Sequence, residues 1–141
     1  SKNFKNNFDM YYLALMMGLA SNNKGDSQEK GDLVEYWPEQ GNYAANQNFI
    51  IGLILFLEAK NNGVDIKEKT KTTKLLNNYL DPDSFSKLSL KSGFKEANRY
   101  ASGGCQIMRD KIQKPHLFGV FLKNYQEQLK IQILENRHFN F

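Results

Sequence analysis

The run Phe49–Leu57, FIIGLILFL, constrains the fold more than any other stretch of this chain. Every residue in it is apolar except Gly52. At 100° per residue those side chains cover all sides of a helix, whereas a surface helix shows a single apolar stripe. The run falls well short of the roughly 20 apolar residues needed to cross a bilayer, and Glu58 and Lys60 close it. A buried strand is the rival reading, because short apolar runs are ambiguous by periodicity alone. Helix is favoured by the polar lead-in Asn46-Gln47-Asn48, by the continuation Leu57-Glu58-Ala59-Lys60, and by the stop signal Asn61-Asn62-Gly63. The expected fold is therefore all-α: a single-domain bundle of about five helices around a buried central apolar helix.

The flanking segments supply the other helices. Phe8, Tyr11, Tyr12, Leu15 and Leu19 fall at helical spacing within Phe4–Ala20, and Asn7 and Asp9 suit its first turn. Tyr11 and Tyr12 read as core aromatics rather than a stacking platform for bases. Ser21–Gly31 is polar, has two glycines and lacks periodicity, so it reads as a surface loop; it lacks the ligand pattern of a calcium loop. Tyr36 and Trp37, just before Pro38, are expected to anchor that irregular stretch, residues 21–45, on the helical body. A third helix runs from Lys67 to Leu80 and stops at Asp81-Pro82-Asp83. Gly93, with Ser92 as its cap, opens a fourth near Phe94 that continues to Ile112. After Lys114-Pro115 a closing helix covers Leu117–Leu134, with Leu117, Val120, Phe121, Tyr125, Leu129 and Ile133 at core spacing. Residues 1–135 thus form one helical domain and 136–141 a tail that carries Phe139 and Phe141.

Four of the glycines inside these helices stand out: Gly18, Gly52, Gly103 and Gly104. Two consecutive glycines cost a helix about 2 kcal/mol relative to alanines. Close approach of a neighbouring backbone is the expected reason, and all four are read as helix-packing positions.

Charge is unevenly spread over the 141 residues. From Lys67 to Lys114 there are eleven Lys or Arg against five Asp or Glu, although the whole chain carries only +4. Lys67, Lys71 and Lys74 share one helix face, and Lys87, Lys91, Lys95 and Arg99 recur every four residues beyond it. Such a distribution permits a sequence-independent contact with a DNA or RNA backbone, and it is also what a solvated face looks like.

No catalytic set emerges. His116 and His138 have no Cys or His partner at metal spacing, so neither a metal nor a cofactor is expected. Cys105 stands beside two glycines with no identifiable base, and a single cysteine excludes an intrachain disulfide and fits a reducing compartment. With no basic-then-apolar leader in view, a cytoplasmic protein is expected. Arg109 and His116 match the loose arginine–histidine spacing of the helical HEPN-type ribonucleases. Pro115 interrupts the helix between them, however, and Asp110 departs from the residue usual after the arginine. A small ribonuclease is thus the alternative to a non-enzymatic reading.

Two segments together resemble a known group. FDMYYLALMMGLA, with Phe8, Asp9, Ala14 and Gly18, and ANRYASGGCQIM, with Tyr100, Ala101, Gly103 and Gly104, are similar to the hallmark segments of small accessory proteins. Those proteins are encoded beside bacterial DNA-phosphorothioation (Dnd-type) and related anti-phage defence operons. IIGLILFLEA fills the apolar slot between the two segments, so the resemblance covers residues 4–112. It implies a non-catalytic accessory or adaptor role within a larger protein assembly, with no catalytic residues to transfer. The lysine-bearing third helix and the longer closing helix depart from the pattern.

Overall fold

The computed structural model describes residues 7–25, 42–83, 87–89, 92–112 and 118–135. The chain is all-α, with α1 (Asn7–Ser21), α2 (Asn42–Asn61), α3 (Lys69–Tyr79), α4 (Gly93–Lys111) and α5 (Phe118–Glu135). Among the described residues the only strand-like pairing is one antiparallel bridge, Leu80 to Leu88. No helix there is long and apolar enough to cross a membrane. Tyr36, Trp37 and the tail from Asn136 to Phe141 lie outside the described residues.

Contacts group the chain into two compact units. The first is Ser1–Glu29 with Arg99–Phe141, and the second is Lys30–Asn98. The division falls inside α4, so a single helix contributes to both.

In the first unit α1 ends on a motif that the sequence writes in asparagine rather than glycine. Asn22 takes the left-handed conformation (φ 50°). The Asn23 amide then donates to the Gly18 carbonyl at 3.0 Å, and the Asn22 amide to that of Leu19 at 3.2 Å. Together these bonds form a Schellman stop that satisfies carbonyls the helix end would otherwise leave open. α5 packs on α1. Tyr125, 5% exposed, donates its hydroxyl to the Leu13 carbonyl at 2.7 Å. Along α5 Phe118 stacks on Phe121 and Phe121 meets Tyr125 at a tilt of 32°, with centroids 6.4 Å apart at each step. Val120 and Ile133, expected in the core, are exposed instead, because Tyr125 and not those two sets the buried side.

Burial pushes the Tyr125 phenol well above its ordinary range, and the nearby Tyr12 adds to the shift. Burial moves Tyr11 the same way. A folded-state value raised above the unfolded phenol near 10 leaves stability intact below about pH 10 and removes it as pH rises further. Tyr125→Phe should therefore lower stability by about 1 kcal/mol at neutral pH, through the lost hydrogen bond. It should also flatten part of the decline above pH 10. Denaturant titrations at several alkaline pH values measure both effects.

In the second unit α2 is the buried apolar helix, four residues longer at its N-terminus than the irregular stretch to residue 45 allowed. Ile50, Ile54 and Leu57, at i, i+4 and i+7, have no exposed surface, and Ile51, Glu58 and Ala59 are buried beside them. The opposite side is open. Phe49 is 64% exposed, and a Cβ placed on Gly52 would meet nothing within 4 Å. Gly52 is thus not a packing glycine: it lies on the outward side, where no backbone approaches. The helix stops as expected, with Gly63 left-handed (φ 66°), its amide on Lys60 and the Val64 amide on Ala59. Asn62 donates its side-chain amide to the Glu58 carbonyl at 2.7 Å and to Glu58 Oε2 at 3.3 Å.

Candidate functional site

Two features are candidates for function: the glycine contact between α1 and α4, and the exposed face of α3. The first sets the small pair Ala14 and Gly18 of α1, at i and i+4, against Tyr100 and Gly104 of α4. A Cβ on Gly18 would overlap the Tyr100 carbonyl, and one on Gly104 would overlap the Ala14 carbonyl and come within 2.7 Å of the Gly18 amide nitrogen. The two backbones therefore touch directly, which side chains on both helices would forbid. The neighbouring glycine serves a different contact. A Cβ on Gly103 would strike the Asn23 carbonyl and come within 3.0 Å of the Gly25 nitrogen. The consecutive glycines thus let two chain segments, α1 and the loop after it, lie on α4 at once.

That loop is fastened by polar contacts. The Gly25 amide donates to the Arg99 carbonyl at 2.8 Å, and the Asn23 side-chain amide to the Gly103 carbonyl at 3.2 Å. Arg99 Nε donates in return to the Gly25 carbonyl at 3.4 Å, and Lys24 Nζ lies 5.4 Å from the centroid of the buried Tyr100 ring. Gly25 is itself a close-contact glycine that the sequence did not single out; a Cβ there would sit 2.9 Å from the Gly103 nitrogen.

The basic residues do not form the single patch that their spacing suggested. Lys67 precedes α3, in a turn where its amide donates to Asp65 Oδ1 at 3.0 Å. It therefore does not share a helix face with Lys71 and Lys74. Lys71 pairs with Glu68 at 3.0 Å on the surface. Lys87 is left-handed (φ 60°) beside the Leu80–Leu88 bridge, and its Nζ donates to Asn48 Oδ1 at 3.0 Å. Lys95 is exposed on α4, whereas Arg99 belongs to the other unit and turns to Gly25. Lys91 lies outside the described residues.

At the entry to α4, Ser92 directly precedes the helix as expected, and its carbonyl accepts the Glu96 amide at 3.1 Å. Ser89, not Ser92, accepts the Gly93 amide on its hydroxyl, at 3.0 Å, while Ser92 donates to Asn78 Oδ1 at 3.3 Å. Ser89 reaches because its own amide and hydroxyl hold it against α3, on the carbonyls of Tyr79 and Asn78 at 2.9 Å each. Gly93 is a further close contact, since a Cβ there would overlap the Tyr79 carbonyl.

Arg109 is exposed in the last turn of α4, which ends at Lys111, and His116 falls outside the described residues. Cys105 is exposed on the same helix. Among the described residues no three His, Cys, Asp or Glu side chains are grouped to hold a metal ion. No family model, curated protein or solved structure matches the chain.

Proposed function

We propose that this protein is a non-catalytic helical subunit of a prokaryotic anti-phage defence assembly, acting through protein contacts. The observation that carries this reading is the fate of the residues behind the resemblance. Phe8, Ala14, Gly18, Tyr100, Ala101, Gly103 and Gly104 are all buried, Asp9 is half-buried, and both hallmark segments meet in the α1–α4 contact. A signature spent on holding two helices together is that of a frame, and not of a reaction centre. Partner contact then falls to the exposed apolar side chains of α5. Leu134 is 78% exposed, and Val120, Ile131 and Ile133 are exposed on the same helix. Isolated apolar residues on a surface are ordinary, but Ile131 and Leu134, at i and i+3, adjoin on one face and make a local apolar patch.

The test is co-expression with the proteins encoded beside it, followed by size-exclusion chromatography at micromolar concentration. Co-migration with one of them, abolished by Ile131→Asp with Leu134→Asp, is the expected result. A chain that elutes alone in every combination would overturn the proposal.

A further inference from the structure

We infer that α3 is a contact for the sugar-phosphate backbone of duplex nucleic acid, made through Lys69, Thr70, Thr73, Lys74 and Asn77. The inference stands apart from the subunit reading and uses a different helix. α3 has no buried residue, and its half-buried side is formed by Thr72, Leu75, Leu76 and Tyr79, facing the α2 contact. The exposed residues from Lys69 to Asn78 are lysine, threonine and asparagine without exception, and α3 contains no carboxylate. Solvated helix faces ordinarily interleave both signs, with acids four residues before lysines. The nearest acid, Glu68 at the N-cap, is engaged by Lys71. Lys69 and Lys74 are left to face outward with the two threonine hydroxyls and the Asn77 amide.

These residue types make phosphate and sugar contacts, and such contacts position a protein without reading sequence. At 100° and 1.5 Å per residue, Lys69 to Asn77 occupy an arc of about 140° and a length of about 12 Å. Along one strand of a duplex that length spans three or four phosphates, at about 3.4 Å of axis each. Lys67, exposed in the turn before the helix, extends the positive end. The exposed arc contains no aromatic ring, because Tyr79 lies on the half-buried side. Single-strand binders place bases on aromatic platforms, so a duplex backbone is the better fit.

The test titrates two unrelated fluorescent DNA duplexes with the full chain at about 50 and 200 mM salt. Three neutralised phosphates give a log–log slope near −2.7, so affinity should fall about 40-fold between the two conditions. Both duplexes should bind alike. Lys69→Glu with Lys74→Glu should weaken binding at least about tenfold at the lower salt, the loss of two such contacts, with an unchanged circular dichroism spectrum. Lys123→Glu with Lys130→Glu, an equal charge change on exposed positions of α5, should have a much smaller effect. Absence of binding at low salt, equal losses in the two double variants, or tighter binding to polyglutamate than to duplex would each overturn the inference. The last outcome would indicate an acidic protein instead.

Discussion

Replacing Gly104 with leucine should lower stability by about 3 kcal/mol or more, at the upper end of overpacking effects. The melting temperature should fall by roughly 10 °C for a chain of this size. The reason is that the obstacle is backbone. A side chain at this position meets the Ala14 carbonyl and the Gly18 amide nitrogen, neither of which can rotate away. Relief requires moving α1 off α4 along their whole contact, which would also disturb the Gly18–Tyr100 approach one turn along. Even Gly104→Ala should destabilise, although alanine is favoured over glycine by about 1 kcal/mol in an unobstructed helix. Gly52 supplies the opposite case within the same protein. Its Cβ position is open, so Gly52→Ala should raise stability by about 0.5–1 kcal/mol. Thermal melts of these variants read the sign directly. An unchanged melting temperature for Gly104→Leu would show that the helices do not touch there.

The contrast between Gly104 and Gly52 shows where the sequence was informative. Gly103 and Gly104 interrupt a good helix former, and a cost of that kind implies a compensating contact. What the residues could not say is that each glycine answers to a different neighbour, because Ala14 and Asn23 are distant in the chain. Gly52 misled for a related reason: a helix apolar on all sides carries no phase, so nothing in FIIGLILFL tells which side faces out. Helix ends were easier. Gly63 and Pro82 act locally, and the stops fell within a residue or two of where they were expected. Ser92 was placed correctly before α4, but the Ser89 hydroxyl was missed, because it reaches Gly93 only once α3 has fixed its backbone. The basic surface was legible in part. Lys71 and Lys74 do share the exposed side of α3, but Arg99 is claimed by Gly25, 74 residues away in sequence. No spacing rule along the chain could have separated it from the other basic residues.

Ile54→Ala should cost about 2–5 kcal/mol, the range for removing a large aliphatic side chain from a packed interior. Phe49→Ala, five positions earlier on the same helix, should cost less than about 1 kcal/mol. By residue type alone the order would be reversed, since phenylalanine carries more apolar surface than isoleucine. Burial decides it. Ile54 has no exposed surface, so truncation forfeits its whole transfer free energy and leaves a cavity among Ile50, Leu57 and their neighbours. Phe49 is 64% exposed, so most of its ring is already in water and no cavity forms. Helix propensity does not blur the comparison, because alanine improves on both residues by well under 1 kcal/mol. Urea titration resolves the difference if the slopes of the two variants stay equal, so that midpoints alone report stability. Comparable losses at both positions would mean that the outward side of α2 is covered as thoroughly as the inward one. The open position at Gly52 would then have to be abandoned with it.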